Sequence, residues 1–400
     1  MQDKQVEKLI KDESKRQKSV INLIASENYV SKDVLSALGS EFTNKYAEGY
    51  PGRRYYGGNT VIDKVENLCI ERALKLFKLN KDNWHVNVQL LSGSPANFAL
   101  YCALVPIGGK IMGMKLTSGG HLTHGHPASM TGKLWKPIQF ELDSKTEMID
   151  YVKLKKLATL EKPDIIVAGF TAYPRVVDFK KFREIADSCG AILHIDMSHF
   201  AGLVAGGAYP SPFPYADSVM TTIHKSLRGP RHAILFVRKD LREFDKKLDK
   251  MVIPGLFGGP HENTIAATAI ALAEAMKPEF KKYAKQVVKN AKTLANELKK
   301  LGWHIISGGT DSHLILMDTW NLPSARFGGG GGIGISGKEA SEKLEKAGII
   351  VNMNTIPGDS RSVMDPSGIR LGPCAATTRG KKESDMIKIA KKIDKILRNQ

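Results

Sequence analysis

The stretch Ser218-Val219-Met220-Thr221-Thr222-Ile223-His224-Lys225-Ser226 reads as a buried β-strand that ends on a histidine and a lysine. A second apolar stretch, Ala191-Ile192-Leu193-His194-Ile195-Asp196, ends on a carboxylate and is soon followed by His199. Similar runs alternate with helical patterns between residues 85 and 240, at Lys110–Met114, Asp164–Phe170 and Ala233–Val237. This rhythm predicts an α/β domain with a mainly parallel sheet.

The remainder of the chain predicts an N-terminal helix and a smaller α+β domain. Residues 1–20 alternate charged and apolar side chains at helical spacing. Further helical patterns lie near Glu262–Met276, Glu279–Leu301, Gly337–Ala347 and Lys382–Leu397. Strand candidates lie at His313–Asp318, Ile349–Asn352 and Gly368–Leu371. We expect an arm and active-site loop over residues 1–55, a large domain over 56–276 and a small domain over 277–400.

Composition places the chain among ordinary globular proteins. It has 400 residues, of which 42% are hydrophobic and 25% are charged. The N-terminus, Met1–Gln5, lacks the basic-then-apolar layout of a signal peptide. Apolar runs such as Ile165–Phe170 have the length of a strand and are too short to cross a bilayer. We therefore expect a cytoplasmic location and no membrane partner.

The formal net charge of +18 is high. Nucleic-acid binding is one interpretation of such a charge. The other is a lysine-rich solvated surface, because the basic segments 239–250, 277–300 and 381–398 have interspersed acids and no arginine-rich block. We favour the solvated surface and do not expect nucleic acid as the primary partner.

The cysteines argue against a disulfide framework or a zinc site. They are scattered at positions 69, 102, 189 and 374, with no Cys-x-x-Cys pair and no short Cys/His spacing. Buried free thiols are the expected state, and no metal site is predicted.

Lys225 and Asp196 together have the chemistry that pyridoxal 5'-phosphate (PLP) requires. A lysine can form a Schiff base with this cofactor, and a carboxylate can keep the pyridine nitrogen protonated so that the ring accepts electrons. A lysine at the end of a strand is ordinarily a solvated charge. Its pairing with a carboxylate at the end of another strand is what favours PLP.

The segment Leu91–Asn97, Leu-Ser-Gly-Ser-Pro-Ala-Asn, leads into a helical pattern at Phe98–Leu104. A Ser-Gly-Ser turn that opens a helix offers hydroxyls and free backbone N–H groups to an anion, and the phosphate of the cofactor is the natural candidate. Simple helix capping is the alternative interpretation.

The loop Ser118–His126 contains two adjacent glycines and three histidines. Metal binding is one interpretation, but no helical His/Glu pattern accompanies the loop. Stacking of the His121 imidazole on a flat cofactor ring explains the loop at least as well, and we favour it.

The loop Lys45–Gly58 is dense in tyrosine, glycine and arginine and contains one acid, Glu48. It is either a plain cluster of turns or a loop that delivers a phenol and a carboxyl group to a polar ligand.

Arg370 lies in the short apolar segment Asp365–Gly372. It is either a surface arginine on an edge strand or a bidentate clamp for the carboxylate of an amino acid.

Five consecutive glycines, Gly328–Gly332, follow Phe327. Such a run is too flexible for a helix or a good strand, and we expect a flexible surface loop without a phosphate-binding role.

Together these segments resemble serine hydroxymethyltransferase, a family of fold-type I PLP enzymes. The similarity runs almost end to end, from Asn22–Tyr29 to Ala375–Gly380. The motifs specific to the family are Tyr46–Gly58, Ser92–Asn97, Gly119–Gly125, Asp196–Leu203, Thr221–Arg231, Phe257–His261 and Asn354–Pro357. The resemblance implies a large domain with a mainly parallel seven-stranded sheet and a smaller C-terminal α+β domain.

The resemblance also implies cofactor contacts. Lys225 matches the lysine of the internal aldimine, and Asp196 matches the partner of the pyridinium nitrogen. His121 is expected to stack on the ring, with His199 by the ring oxygen and His224 beside the lysine. The other implied cofactor residues are Ser92, Gly93, Ser94, Thr171 and Thr222, with Tyr46 and Gly259 reaching the phosphate of a neighbouring subunit.

Substrate contacts are implied in the same way. Arg370 clamps the carboxylate of the amino acid, and Ser26 and Tyr56 help to hold it. Glu48 matches the acid that manages the proton of hydroxymethyl transfer. The implied folate contacts are Leu116, Gly120 and Asn354. The implied catalytic set is Lys225, Glu48, Asp196, His121, His199, His224 and Tyr56.

The implied activity is that of glycine hydroxymethyltransferase, which interconverts serine plus tetrahydrofolate with glycine plus methylenetetrahydrofolate through aldimine and quinonoid chemistry. The family builds its sites across a dimer interface, so a homodimer is expected, with a tetramer left open. Two other readings stay open: a PLP aldolase or transferase for β-hydroxy amino acids that needs no folate, and an RNA-binding protein.

Some positions depart from the family pattern. They are Pro95 for Gln, Ser198 for Ala, Ile223 and Ser226 for Thr, His232-Ala233 for Gly-Gly, and Gly372-Pro373-Cys374-Ala375 for Gly-Thr-Pro-Ala. Residues 223, 232, 373 and 374 are expected near the cofactor or the folate, so they bear on which one-carbon acceptor is used.

Overall fold

The fold was analysed in a computed structural model that describes residues 1–241, 243–322 and 330–398. Its strands are β1 Ile21–Asn22, β2 Gly49–Tyr50, β3 Arg53–Arg54, β4 Trp84–Leu90, β5 Lys110–Met114, β6 Lys136–Phe140, β7 Ile165–Ala168, β8 Ile192–Asp196, β9 Ser218–Thr222, β10 Ala233–Arg238, β11 Ile315–Asp318, β12 Ile349–Ile350, β13 Asn352–Asn354 and β14 Gly368–Leu371. Its helices are α1 Lys4–Ser19, α2 Lys32–Leu38, α3 Thr60–Phe77, α4 Gly93–Leu104, α5 Met130–Leu134, α6 Tyr151–Glu161, α7 Phe179–Cys189, α8 Ala201–Ala205, α9 Phe244–Lys250, α10 Glu262–Ala275, α11 Pro278–Lys300, α12 Gly337–Lys346, α13 Cys374–Thr378 and α14 Glu383–Arg398.

The large sheet, as far as the chain is described, has seven strands in the order β4-β10-β9-β8-β7-β5-β6. Strands β9, β8, β7, β5 and β6 run parallel, while β10 pairs antiparallel with both β9 and β4. Every residue of β7 and β9 is buried, because helices cover both faces of such a sheet. The predicted mainly parallel, seven-stranded sheet is confirmed.

One predicted boundary is wrong in a way that matters. Strand β9 ends at Thr222, so His224 and Lys225 lie in the loop after the strand and are not its last residues. The backbone turns back there, because the N–H of Gly229 donates to the carbonyl of Ile223 at 2.9 Å. A Cβ on Gly229 would lie 2.3 Å from the Ile223 side chain, so this close approach requires glycine. Lys225 therefore lies in the loop that follows β9, where it lines the cavity described below.

The C-terminal part forms a second core around a small antiparallel sheet of order β11-β14-β13. Helices α11, α12 and α14 pack on it, and Trp303 is fully buried among them. Strand β1 joins this unit by pairing parallel with β12. Arg370 therefore lies on the central strand β14, and its interpretation as a residue of an edge strand is wrong.

The predicted N-terminal helix is present as α1. Asp3 caps it by accepting hydrogen bonds from the backbone N–H groups of Gln5 and Val6, each at 3.0 Å. No residue of α1 is buried, and the apolar side chains Leu9 and Ile10 are 67% and 54% exposed. The helix therefore gains little from packing within its own chain.

The glycine run behaves differently from the prediction where it is described. Gly328 and Gly329 lie outside the described residues. Gly331 and Gly332 are buried, and the N–H of Gly331 donates to the carbonyl of Gly302 at 3.1 Å. A Cβ on Gly332 would lie 2.2 Å from the backbone of Thr319, so glycine is needed for close packing. The expectation of a flexible surface loop is wrong for these two residues.

Within residues 1–241, 243–322 and 330–398, no cluster of three or more His, Cys, Asp or Glu side chains could hold a metal ion. No helix in those ranges is long and apolar enough to span a membrane. All four cysteines are free thiols; Cys69 and Cys374 are buried, and Cys102 and Cys189 are half-buried.

Candidate active site

A cavity of about 380 Å³ opens at the carboxyl ends of β7, β8 and β9, where α/β sheets commonly bind ligands. The N-terminus of α4, strand β14 and the segment after β1 complete its walls. The sequence-predicted residues that line it are Ser26, Ser92, Gly93, Ser94, His121, Thr171, Asp196, His199, Thr222, His224, Lys225 and Arg370. Residues that the sequence places hundreds of positions apart thus meet in one site.

Lys225 is the amine of this cavity. Burial lowers its pKa to about 8; the nearby Asp196 opposes this effect, and the charges of Arg370 and Arg231 reinforce it. Its backbone carbonyl accepts a hydrogen bond from Nδ2 of Asn28 at 3.1 Å, which fixes the loop. A lysine with a pKa near 8 has a far larger neutral fraction at physiological pH than an ordinary lysine and is therefore a more competent nucleophile.

Asp196 is a buried carboxylate with three hydrogen-bond donors around it. Asn97 Nδ2 and His124 Nε2 contact Oδ2 at 3.0 and 3.3 Å, and the backbone N–H of Ser198 donates to Oδ1 at 3.1 Å. Burial alone would raise the pKa of Asp196, but the hydrogen bond from His124 and the charge of Lys225 hold it well below its usual range. Asp196 is therefore ionised and can hold a proton on a neighbouring nitrogen.

Asn97 is itself held from two sides. Its Oδ1 lies 3.0 Å from Nε2 of His194, and its Nδ2 also donates to Oγ1 of Thr123 at 2.9 Å. Thr123 Oγ1 lies 2.7 Å from Nδ1 of His121. One connected network thus runs from Asp196 to the histidine that faces the cavity.

The neutral state of His121 suits stacking on a flat ring better than it suits a role that needs a charged imidazole. Burial and the nearby His124 lower its pKa to about 4, so the ring is neutral at physiological pH. A neutral, flat imidazole can lie against an aromatic ring without electrostatic cost.

The N-terminus of α4 forms an anion cradle. Ser92 is the N-cap, and Gly93 and Ser94 are the first helical residues, so backbone N–H groups are free at this end. A Cβ on Gly93 would lie 2.7 Å from Cγ2 of Thr222, which explains the glycine. The hydroxyl of Thr222 is buried and has no partner among the described residues. This orphaned donor and the free N–H groups fit a phosphate group.

His224 and Thr171 complete the cofactor side. Burial and the charge of Lys225 lower the pKa of His224 to about 3, and its Nδ1 has no partner within the described chain. Thr171 Oγ1 donates to the carbonyl of Gly120 at 2.8 Å. The protein thus holds the Thr171 hydroxyl, whereas Nδ1 of His224 can accept a contact from a ligand.

Arg370 enters the cavity from β14 with part of its guanidinium already engaged. Nε donates to Oδ1 of Asn352 at 3.0 Å, and Nη1 donates to the carbonyl of Thr171 at 2.7 Å. Burial lowers its pKa to about 10, which leaves it charged. Since Nη2 has no protein partner in the described part of the chain, it remains available to a carboxylate.

A second predicted cluster lies outside the cavity. The rings of Tyr46 and Tyr56 meet edge-on with centroids 5.2 Å apart, and a hydrogen bond with Glu48 raises the pKa of Tyr46. A Cβ on Gly259 would lie 3.3 Å from the Tyr46 ring. Tyr46 and Tyr56 are 54% and 49% exposed. The structure therefore brings Tyr46, Glu48, Tyr56 and Gly259 together on the surface, apart from Lys225.

The predicted folate residues Leu116, Gly120 and Asn354 do not line the cavity. Gly120 packs so closely that a Cβ would lie 1.9 Å from the carbonyl oxygen of Met114. Leu116 begins a short 3₁₀ helix and is half-buried. Asn354 ends β13 and donates to the carbonyl of Thr355 at 2.7 Å.

Of the departures from the family pattern, Ser198 lines the cavity and the others do not. Ile223 is fully buried against Gly229, and His232 is buried with Nδ1 2.9 Å from Oγ1 of Thr268. Pro373 and Cys374 open helix α13. Ile223, His232, Pro373 and Cys374 are therefore accommodated in the protein core.

Sequence reasoning assigned no role to several residues that the structure brings to the site: Asn97, His124, Arg231, His313 and Asn352. Asn97 and His124 lie inside motifs that had been singled out, so their positions carried a signal. His313 and Asn352 carried none, because their neighbours come from distant parts of the chain.

Comparison with known proteins agrees with this geometry. The family model described as serine hydroxymethyltransferase matches residues 1–393. The chain belongs to that family. A relative from Desulfotalea psychrophila named serine hydroxymethyltransferase is 49% identical over 398 residues, which cover 100% of this chain and 89% of the relative. One of the same name from Koribacter versatilis is 50% identical over 399 residues, with the same coverage.

Membership confirms the predicted fold-type I architecture. The predicted glycine hydroxymethyltransferase activity, with PLP as cofactor and tetrahydrofolate as co-substrate, is confirmed at the level of the family.

Proposed function

We propose that this chain transfers the hydroxymethyl group of serine to tetrahydrofolate, and the reverse, at the cavity around Lys225, with the residue roles given below. The observation that carries the proposal is the presence of Lys225, Asp196 and Arg370 in one cavity of about 380 Å³. An amine, a buried carboxylate and a partly engaged guanidinium are what PLP chemistry on an amino acid requires.

PLP, when bound, supplies an electron-accepting ring that stabilises negative charge on the α-carbon of the substrate. Ser92, Gly93, Ser94 and Thr222 would hold its phosphate, since they provide free donors at the start of α4. Lys225 would hold it covalently. This assignment agrees with the orphaned Thr222 hydroxyl and with the low pKa of Lys225.

Asp196 would keep a proton on the ring nitrogen, because its own pKa lies well below the usual range and it stays ionised. His121 would pack on the ring as a neutral imidazole, and His199, His224 and Thr171, which line the same cavity, would contact the cofactor. These residues bind and orient the cofactor, which keeps the reacting bonds of the substrate aligned with the ring.

Arg370 binds the substrate carboxylate through the part of its guanidinium that Asn352 and Thr171 leave free. Ser26 lines the same cavity and would help to hold the amino acid. Because the two protein contacts fix the plane of the guanidinium, the carboxylate is bound in one orientation.

Glu48 moves the proton of hydroxymethyl transfer, assisted by Tyr56, while Tyr46 and Gly259 contact the phosphate. All four lie on the surface apart from the cavity of their own chain. We therefore propose a homodimer in which this surface cluster completes the cavity of the neighbouring subunit. Leu116, Gly120 and Asn354 border the folate, and the enzyme works in the cytoplasm.

The activity is tested by the visible absorbance of the PLP-loaded enzyme with glycine, before and after tetrahydrofolate is added. A long-wavelength band that rises only with tetrahydrofolate is expected, because the folate enhances removal of the α-proton. If glycine alters the spectrum and tetrahydrofolate adds nothing, the folate assignment is wrong and a folate-independent aldolase takes its place.

The shared site has its own test. Lys225→Ala and Glu48→Gln chains are each expected to be inactive as homodimers. Mixing them under subunit exchange should restore activity, since some hybrids then hold one site with both residues intact. Glu41→Gln, which alters an exposed residue outside both clusters, serves as the matched control in place of Glu48→Gln. Mixtures that stay inactive after verified exchange would contradict a shared site.

A further inference from the structure

A second cavity, of about 470 Å³, borders the loop that carries Lys225. The residues that line it are Tyr29, Val30, Ser31, Arg228, Glu274, Lys277, Glu279, Phe280 and Thr378. None of them lines the cavity around Lys225. The two cavities are nevertheless connected, because the backbone N–H of Arg228 donates to the carbonyl of Lys225 at 3.2 Å. The Thr378 hydroxyl donates to Asn28, whose amide group donates to the same carbonyl.

Arg228 gives the second cavity a guanidinium group whose donors are unused. Its guanidinium carbon lies 4.3 Å from the centroid of the Tyr283 ring and 5.1 Å from that of the Phe280 ring, so aromatic contacts hold it. Within residues 1–241, 243–322 and 330–398, no oxygen accepts a hydrogen bond from this group. The backbone of Arg228 has a φ of 59°, a conformation that is uncommon outside glycine and that occurs at ligand clamps. The guanidinium edge is therefore available to an oxyanion.

The hydroxyl of Tyr29 is a second unused donor in the same cavity wall. It is shielded from solvent and has no hydrogen-bond partner in the described part of the chain. A buried hydroxyl without a partner costs about 1–3 kcal/mol. A ligand oxygen that accepts a hydrogen bond from Tyr29 would remove this cost, so the hydroxyl and the guanidinium together fit a carboxylate or a phosphate.

The charged side chains of the second cavity decide between these two anions. Arg228 and Lys277 are positive, whereas Glu274 and Glu279 are negative. None of the four forms a salt bridge with any residue that the structure describes. Because the four charges cancel, the cavity has no excess of positive charge to bind a phosphate dianion. A ligand with one carboxylate and one ammonium group can contact charges of both signs.

We propose that the second cavity binds an α-amino acid with an apolar side chain as a second, unreacting ligand. Arg228 and the hydroxyl of Tyr29 would bind its carboxylate, and the two glutamates would bind its ammonium group. Phe280 supplies apolar surface for its side chain. The ligand does not react there, because neither Lys225 nor Asp196 lines this cavity.

Isothermal titration calorimetry of the PLP-loaded enzyme with L-phenylalanine tests the site. We expect one molecule to bind per chain at the second cavity. The compound 3-phenylpropionate lacks the ammonium group, and phenethylamine lacks the carboxylate. Each should bind at least about 10-fold more weakly, because each leaves charges of one sign in the cavity without a partner. Absence of L-phenylalanine binding, or equal affinities for the three compounds, overturns the proposal.

Two substitutions and a control locate the bound molecule. Arg228→Met keeps a long side chain on the two rings but removes the donors, and it should weaken L-phenylalanine binding at least about 10-fold. Tyr29→Phe should weaken binding less. Since it removes a hydroxyl without a partner, it should not lower the melting temperature of the ligand-free enzyme, as loss of a structural hydrogen bond would. Arg379→Met is the matched control, because Arg379 lies 3.9 Å from the centroid of the Tyr29 ring but does not line the cavity. Its affinity should be unchanged.

Arg370→Met distinguishes the second cavity from the cavity around Lys225. An amino acid bound through Arg370 would lose affinity in this variant, whereas binding at the second cavity should be unaffected. A loss of affinity in Arg370→Met overturns the proposal, and so does full affinity in an Arg228→Met chain that circular dichroism shows to be folded. If Arg228→Met does not fold, Tyr29→Phe and Arg370→Met decide. A failure of the proposed function leaves these readouts unchanged.

Discussion

Replacing Asn97 with leucine tests whether the ionised Asp196 depends on its neighbours. Asn97 is fully buried, and three hydrogen bonds hold its amide group. Leucine has a similar length but can neither donate to Asp196 nor accept from His194. The substitution therefore leaves a buried carboxylate with fewer donors and a buried imidazole without its acceptor.

The expected cost follows from these contacts. A hydrogen bond to a charged group contributes about 2 kcal/mol and each neutral one about 1 kcal/mol, which gives about 4 kcal/mol for Asn97→Leu. With an unfolding entropy of about 2.1 cal/mol/K per residue, this lowers the melting temperature by roughly 5 °C for a chain of this length. Thr123→Val, which removes the neutral contacts of Thr123 with Asn97 and His121 and leaves the contact between Asn97 and Asp196, is the matched control and should cost about 2 kcal/mol.

The assay is thermal unfolding of the PLP-free protein followed by circular dichroism, for Asn97→Leu, Asp196→Asn and the double variant. Because the two side chains are in direct contact, the double variant should be about 2 °C more stable than the sum of the single effects predicts. Additive single effects would falsify the view that Asn97 stabilises the Asp196 carboxylate.

Other perturbations have equally definite outcomes. The rate at which PLP-free enzyme captures PLP, measured by stopped-flow absorbance, should rise with pH and level off near pH 8. The reason is that Lys225 reacts as the neutral amine and burial lowers its pKa to about 8. A rate that levels off only above pH 10 contradicts this prediction. Burial and the neighbouring Glu66 raise the pKa of Glu262, so the folded state keeps a proton that the unfolded state releases above its ordinary pKa of 4.5. Stability should therefore fall by about 1.4 kcal/mol per pH unit above that value until the raised pKa is passed, and Glu262→Gln should remove this slope; equal slopes in melting temperature between pH 6 and 8 refute it. Arg370→Lys should weaken serine binding about 100-fold, since an ammonium cannot replace a bidentate guanidinium, and spectral titration with serine measures the change.

The parts of the site that local patterns encode could be predicted from the sequence. Strand β8 ends at Asp196 as expected, and α4 begins in the Ser92–Ser94 turn. The end of β9 was missed because the apolar run continues through Ile223, whereas the close packing of Gly229 turns the chain earlier. Periodicity shows which residues are buried, but it does not show where a tertiary contact bends the backbone.

Contacts between distant segments were beyond the reach of pattern reasoning. Arg370 was expected to bind a carboxylate, but its anchoring by Thr171 joins residues 199 positions apart. His313 behind His199 depends on the meeting of the two cores, 114 positions apart in sequence. Such pairs follow from how the large and small units pack, which no local propensity specifies.

Asn28 links the loop that carries Lys225 to segments far away in the sequence. Its side chain donates to the carbonyl of Lys225 and to Tyr283, and it accepts from Thr378, across separations of 197, 255 and 350 residues. Contacts of such range form late in folding, because long loops must close first. The loop that carries Lys225 is therefore fixed only when the last helices have docked onto the first segment. We therefore expect a chain that lacks its C-terminal helices to capture PLP more slowly than the full-length chain.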